Sequence, residues 1–360
     1  MYRVGIIGTG GISRRHAMGY EATRKAEIVA ISDFSPENLS KAAAKWGVDR
    51  IYGDYREMLA REQLDLVSVC TWEDSHAEIV VAAAESGARG VLCEKPMAMN
   101  LSQADQMIET CEQNGVKLAI GHMRRYMPSY IQGRDLIQSG ELGDILMMWA
   151  YCGGDMFLWG THHVDMLFFL NGDRQVRSVM GQIDWSKRGM GYPYSERFLA
   201  RRCDKFVAED DAIGMLEFDN GVRALFQTGQ HSPKRHDNPL RLSSEIEVVG
   251  TWGVAYINER HVGYLSATSG GWVESKPLTE EEFEQRWNKQ FADEIDDLCD
   301  CVTEDREHYL SGYRGRAVLE VMMAIYESSR RRAEVELPLQ VQDNSLLTMI
   351  ERGEIPYDEG

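Results

Sequence analysis

The segment Val4-Gly5-Ile6-Ile7 runs without a break into Gly8-Thr9-Gly10-Gly11-Ile12-Ser13, and this junction of an apolar strand with a glycine turn constrains the fold more than any other stretch. Gly8 permits a tight turn. Gly10 lets backbone approach a pyrophosphate closely, and the helix start that follows offers free N–H groups and a positive dipole end to that phosphate. Gly8, Gly10, Gly11 and Ile12 are therefore the candidate phosphate contacts. Ser13 stands where Gly or Ala is usual in such a fingerprint, so slightly wider packing of helix on strand is expected. A glycine turn alone is a weak signal. A second apolar segment, 27–32, strengthens it by ending in Asp33, 23 residues after Gly10, where a carboxylate accepts both hydroxyls of an adenosine ribose. Phe34 and Ser35 supply no cation for a 2′-phosphate, so NAD(H) is expected over NADP(H). The rival reading makes Asp33 a turn cap before the helix start at Ser35-Pro36.

The rhythm of the chain sets the fold class. Strands are expected at 2–7, 27–32, 65–70, 90–93 and 117–121, alternating with helices near 12–23, 36–45, 55–61, 76–86 and 102–114. That alternation predicts an α/β domain with an N-terminal Rossmann doubly wound parallel sheet over 1–121. The strand 65–70 leads through Thr71, Trp72 and a helix at His76, which places these residues beside the glycine turn. After 122 the pattern changes to helices at 128–139 and 160–170 and β-like runs at 143–152, 175–185, 212–218, 222–229, 243–250 and 253–257. Asn220-Gly221 reads as a hairpin turn, and Thr251-Trp252-Gly253 as another turn. A C-terminal α+β domain with a large, mainly antiparallel open sheet is expected over 122–340, closing with helices at 280–303 and 313–332 and a short strand at 334–338. Residues 341–360 read as a polar, acidic tail.

Length suits two domains. The net charge of −18 argues against nucleic acid or an anionic membrane as partner. No membrane span and no signal peptide is visible. Seven cysteines without a C-x-x-C or zinc spacing point to a reduced, cytoplasmic chain with buried thiols and no metal. Glu209-Asp210-Asp211 reads as a turn or strand-edge feature rather than a metal site.

Glu94-Lys95-Pro96 closes the apolar strand 90–93, at the strand end where an open α/β sheet binds ligands. With the N-terminal Gly8-x-Gly-x-x-Ser turn and His16, Cys70-Thr71 with His76, the run Gly121-His-Met-Arg-Arg-Tyr126, Tyr326-Glu-Ser-Ser-Arg330 and Val335-Glu-Leu-Pro338, the chain resembles the Gfo/Idh/MocA family of glucose–fructose oxidoreductase and inositol dehydrogenase type over nearly its whole length. The resemblance implies a Rossmann domain plus an open-sheet domain, and an NAD(P)-dependent redox step on a sugar, a polyol or a related carbonyl compound.

Hydride transfer from a secondary alcohol needs a base for the hydroxyl proton and a cation or donor for the developing alkoxide. Lys95 suits the second role and can share the first, with Glu94 orienting it or touching the ribose, and Pro96 fixing the loop. The family carries a segment D-x-G-x-H whose His exchanges the substrate proton. The matching run here, Leu158-Trp159-Gly160-Thr161-His162, keeps the His as His162 and has Leu158 at the Asp position. Three readings stay open: His162 and Lys95 suffice, Asp155 takes the missing role, or the chemistry is altered or absent. The first two together are preferred, giving Lys95, His162 and Asp155 as catalytic candidates. Arg124, Tyr126, Trp159 and His163 are substrate candidates, with a surface salt bridge as the rival for the arginines, core packing for Trp159 and a structural role for His163. Asp165 is expected to make a local hydrogen bond. The segment 230–236 is expected to be a solvated loop rather than the substrate mouth.

These residues favour an NAD(H)-dependent dehydrogenase of a sugar, inositol or sugar derivative. An NAD-dependent glycosidase working by transient oxidation, elimination and re-reduction is the alternative, and a dinucleotide-binding regulator a third. The resemblance implies a homodimer or homotetramer through the open sheet, with Trp149, Trp185 and Phe226 as candidates for that face or the core.

Overall fold

The computed structural model describes residues 1–184, 209–229 and 244–355. Trp185 and the segment 230–236 lie outside the described residues. The chain forms two compact units, Met1–Tyr126 with Thr279–Ala317, and Met127–Leu278 with Val318–Gly360.

In the first unit, β1 (Tyr2–Ile7), β2 (Ala26–Ser32), β3 (Ile51–Tyr52), β4 (Leu66–Val69), β5 (Gly90–Cys93) and β6 (Lys117–Ile120) form a parallel sheet in the order β3-β2-β1-β4-β5-β6. The winding reverses between β1 and β4, which pair directly. In such a sheet ligands bind outside the carboxyl ends of the strands, at the reversal. The connecting helices are α1 (Ser13–Ala22), α2 (Pro36–Trp46), α3 (Tyr55–Arg61), α4 (Glu73–Glu85) and α5 (Leu101–Gln113). Their ends follow local chemistry. Ser35 accepts the Asn38 N–H ahead of α2, Pro36 opens the helix, and Gly47 ends it at φ 67°, as caps require.

Two long helices come late in the chain. They are α8 (Glu280–Glu304) and α9 (Gly312–Arg331). Helix α8, started by a capping box between Thr279 and Glu282, belongs to the first unit. Its stripe Ile295, Leu298 and Val302 enters the same core as Val4, Ile6, Leu66 and Leu92. A Cβ on Gly19 would lie 2.7 Å from Ile295 Cδ1 and 3.1 Å from the Phe291 carbonyl oxygen, so glycine lets α1 and α8 meet closely. The unit boundary falls within α9, after Ala317.

The second unit holds a nine-stranded sheet of β7 (Ile145–Cys152), β8 (Val176–Asp184), β9 (Asp211–Phe218), β10 (Arg223–Gly229), β11 (Ser244–Gly250), β12 (Gly253–Ile257), β13 (Val262–Ser266), β14 (Val273–Glu274) and β15 (Val335–Glu336). The order is β14-β13-β12-β11-β7-β10-β9-β8-β15, and among the described residues only β7 with β10 is parallel. Helices α6 (Pro128–Gln138), α7 (Thr161–Leu170) and the second part of α9 cover one face. The inward residues Met148, Ala150, Leu216, Phe218, Ala224 and Phe226 are buried, which puts Phe226 in the core. Ile325 of α9 lies so close that a Cβ on Gly181 would sit 2.9 Å from its Cα. Gly181 pairs with Gly214 across the strands, so two small residues seat the helix. On the other face Met180, Met215, Leu225 and Trp149 stand in one register row. The region 341–360 carries a short helix, α10 (Ser345–Glu351), whose Leu346 and Met349 are buried. The Ser345 hydroxyl donates to Glu327 of α9. No helix among the described residues is long and apolar enough to cross a membrane.

Candidate active site

The carboxyl ends of β2, β1, β4 and β5 gather the expected cofactor residues of the first unit. Gly8 has φ 87°, and a Cβ there would lie 2.7 Å from the Cys70 carbonyl oxygen, so only glycine fits the turn. A Cβ on Gly10 or Gly11 would meet nothing within 4 Å, which leaves room above the loop. Ser13 closes the turn from below by donating to the Gly10 carbonyl at 2.7 Å. Ile12 precedes α1 without a side-chain cap on its first turn. Asp33 takes the Thr9 N–H and hydroxyl on Oδ2 at 2.6 and 2.8 Å, and the Ser35 N–H on Oδ1 at 2.8 Å. It is thus both a turn cap and a brace for the glycine loop. Each carboxylate oxygen accepts about two bonds, so capacity remains for a ribose hydroxyl. This set fits a dinucleotide: room over two glycines, an uncapped helix start and an acid at the next strand end.

Beside it, His76 is buried. Its Nδ1 lies 2.9 Å from the Pro96 carbonyl and its Nε2 3.2 Å from the Thr71 carbonyl. It ties the β4 loop to the β5 loop and acts on the site through backbone. Thr71 accepts the Ser75 hydroxyl at 2.8 Å, and Trp72 is half-buried at the start of α4. The Lys95–Pro96 peptide is cis.

Glu94 is the hub. His16 Nε2 lies 2.9 Å from its Oε1, His16 Nδ1 3.2 Å from the Ser68 hydroxyl, and Tyr20 OH 2.9 Å from the same hydroxyl. The Lys95 N–H donates to Oε2 at 3.1 Å. Burial pushes Glu94 up, but the His16 hydrogen bond and the charges of His16 and Lys95 outweigh it and hold the carboxyl below its ordinary range. Sequence reasoning named His16 only as part of a motif; its pairing with Glu94 joins residues 78 apart in the chain.

Arg124 and Arg125 are buried in a 3-10 turn, Met123–Tyr126. The Arg125 guanidinium lies 5.7 Å from the Tyr309 ring centre, and neither arginine lies at the surface. Tyr126 donates to Asp297 of α8 at 3.0 Å. Burial and the Asp297 charge push the Tyr126 phenol well up, which leaves it a poor proton donor. Glu294, one turn before Asp297, was not anticipated. It is fully buried, and burial together with the charges of Glu94 and Asp297 raises it well above the ordinary range. His308 accepts the Leu310 N–H on Nδ1 at 2.9 Å and reaches the Glu294 carbonyl with Nε2 at 3.1 Å, so Nε2 carries its proton.

In the second unit, a π-helical turn, Met156–Gly160, leads into α7, a form that recurs at functional sites. Asp155 accepts the Leu158 N–H on Oδ1 at 2.8 Å, while its carbonyl takes the N–H groups of both Trp159 and Gly160 at 3.1 Å. Its visible role is to cap this turn. Trp159 is half-buried, and its ring lies against Gly154. His162, His163 and Asp165 are buried in α7. His163 Nδ1–H donates to the Trp159 carbonyl at 3.1 Å, the structural role weighed for it. Glu209, beyond the turn reading given it in the sequence, accepts the Met156 N–H at 2.7 Å and meets Tyr326 OH at 2.6 Å. Burial and the Asp155 charge raise it to about 8 against the opposing effects of those two bonds.

A doubly wound sheet with glycine turn, an acid at the next strand end and a strand-end lysine on one edge defines a dinucleotide-dependent oxidoreductase. The chain belongs to the Gfo/Idh/MocA oxidoreductase family: residues 2–122 match its NAD-binding Rossmann fold and residues 149–337 its C-terminal alpha/beta domain. NAD is its cofactor. It is 24% identical over 356 residues to scyllo-inositol 2-dehydrogenase (NAD(+)) of Bacillus subtilis, covering 94% of this chain and 97% of that one. It is 25% identical to myo-inositol 2-dehydrogenase of Thermotoga maritima, covering 93% and 98%. The fold is that of levoglucosan dehydrogenase solved with NADH and levoglucosan, at TM-score 0.77 and 20% identity over 94% of this chain and 100% of that one.

Proposed function

We propose that the chain transfers a hydride between NAD(H) and a secondary hydroxyl or carbonyl of a cyclic polyol or sugar, of the inositol kind. The observation that carries this reading is the edge on which Asp33, the Gly8 turn and the anchored Glu94-Lys95 pair stand together at successive strand ends. Bound NAD supplies the hydride acceptor. Asp33 meets the ribose, and the open space at Gly10 and Gly11 takes the diphosphate. Lys95, fixed at its backbone by Glu94, steadies the alkoxide as it forms. His162 exchanges the hydroxyl proton, and Asp155 acts by holding the turn ahead of it. The near full-length likeness to two inositol 2-dehydrogenases supports the polyol class.

The open face of the second sheet supports a homo-oligomer. Exposed Met180 and Met215 with half-buried Leu225 and Trp149 form an apolar row that a second copy would cover; light scattering coupled to size exclusion reads the state. The six described cysteines, all buried and free, fit a reducing, cytoplasmic setting.

The test is NADH formation with inositols, free sugars, sugar acids and glycosides, for wild type and Lys95→Ala. Polyol-dependent NADH that falls about a thousandfold in kcat in Lys95→Ala, with NAD affinity retained, is expected. Glycoside cleavage without net NADH, or an undiminished Lys95→Ala, overturns the assignment.

A further inference from the structure

The turn before His162 is gripped by two carboxyls from separate parts of the second unit. Asp155 holds the Leu158 N–H. Glu209, which comes from just before β9, holds the Met156 N–H at 2.7 Å with one oxygen and meets Tyr326 of α9 with the other at 2.6 Å. Phe157, between the two gripped residues, stacks on the Tyr326 ring at 6.4 Å and 15°. From below, the Gly229 N–H donates to the Gly154 carbonyl at 2.9 Å. A Cβ on Gly160 would come within 2.9 Å of Phe226 and 3.0 Å of Thr228. Contacts from Glu209, β10 and α9 thus fix five residues that end where α7 begins. A π turn carries one more residue than an α turn, so its loss would rotate the following helix by about 100° and carry His162 to another face.

We propose that Glu209 and Asp155 together hold this turn, and that Glu209 is a positioning residue for His162. This rests on the reading of His162 as the proton-exchanging group. Burial and the charge of Asp155 favour a proton on Glu209 and raise it to about 8, as a like charge near a buried acid does. The groups facing Glu209 are Asp155 ahead of the turn and the Tyr326 phenol on α9, with the buried Asp210 and Asp211 next in the chain. Among these described residues there is no cation. Above the transition Glu209 ionises beside Asp155, and their repulsion loosens the turn.

The experiment compares wild type, Glu209→Gln and Glu209→Ala by kcat and KM from about pH 6 to about pH 9, with melting temperatures over the same range. Glu209→Ala is expected to lower kcat about tenfold to a hundredfold with KM for NAD unchanged. Glu209→Gln, which keeps a neutral group of the same shape, is expected to restore most of that loss at pH 7 and to abolish the decline near pH 8. In the melting series the folded state holds a proton that the unfolded chain has released between about pH 4.5 and about pH 8. Wild type therefore loses stability across that window, and its deficit against Glu209→Gln widens as pH rises. Wild-type kcat in Glu209→Ala, a Gln variant as damaged as Ala, or an unchanged alkaline decline overturns the proposal. If no polyol is turned over, the functional reading fails, while the melting series alone still decides whether Glu209 holds its proton in the folded protein: parallel curves reject it.

Discussion

Glu94 in the first unit and Glu209 in the second are each 4% exposed, yet they are driven in opposite directions. Burial raises both. Around Glu94, the His16 bond and the Lys95 charge more than cancel it. Around Glu209, the bonds from Met156 N–H and Tyr326 fall short, because Asp155 adds repulsion. The difference shows that at matched burial the sign of the neighbour decides whether a carboxyl serves as a fixed charge or as a held proton. The first unit uses its acid to anchor a lysine at a strand end. The second uses its acid to hold backbone ahead of a histidine.

The largest test of this contrast is Glu94→Ala, which leaves His16 without its partner inside the first unit. It is expected to cost about 3–5 kcal/mol in denaturant unfolding; a cost near zero would show that the hub is not an ion-paired one. The sign for Glu94 is that of a lowered carboxyl: its stabilisation is present above about pH 4.5 and is lost as pH falls through the lower folded value, whereas for Glu209 stability declines as pH rises. Next, Gly181→Val pushes a side chain against the backbone of Ile325, one residue before Tyr326. It is expected to destabilise by about 1–3 kcal/mol and to weaken the alkaline decline assigned to Glu209. An unshifted pH profile would uncouple Tyr326 from that acid. Asp33→Ala is expected to weaken NAD binding about tenfold, near 1.4 kcal/mol, by titration calorimetry with the fold intact. Unchanged affinity would reduce Asp33 to its turn contacts. The smallest effect is Glu294→Gln. Glu294 is raised like Glu209 although it lies in the first unit, so the amide is expected to stabilise by about 1 kcal/mol, with the gap growing above about pH 4.5. A variant that melts lower than wild type at neutral pH would show that Glu294 is ionised and bound.

The two site regions were unequally legible. Gly8, Asp33 and Lys95 each sit at the end of an apolar run, so the alternation of strand and helix places them on one edge before any contact is known. The hub itself was less visible: nothing local to His16 says that it reaches Glu94. In the second unit the grip on the turn joins residues 155, 209 and 326, and no periodicity links three such positions. The π turn was hidden because the helix was read as beginning only at 160, with residues 156–159 given no element. Helix α8 was legible as amphipathic, but its return to the first unit was not, since a helix pattern shows an apolar face without naming what covers it. Strands β3, β13 and β14 were missed: two are two residues long, and β13 mixes glycine with half-exposed residues.

The rims of the nine-stranded sheet bear on how this chain avoids its own kind. Each end is closed by a strand of two residues, β14 and β15. Past β15, the free edge of β8 is covered as well: Ser328 and Ser329 of α9 accept the N–H groups of Gly181 and Ile183 at 2.8 and 3.2 Å. An edge whose donors are spent on hydroxyls offers no template for an incoming strand. Along the described part of that edge, two serine side chains stand in the way of runaway strand addition of the amyloid sort.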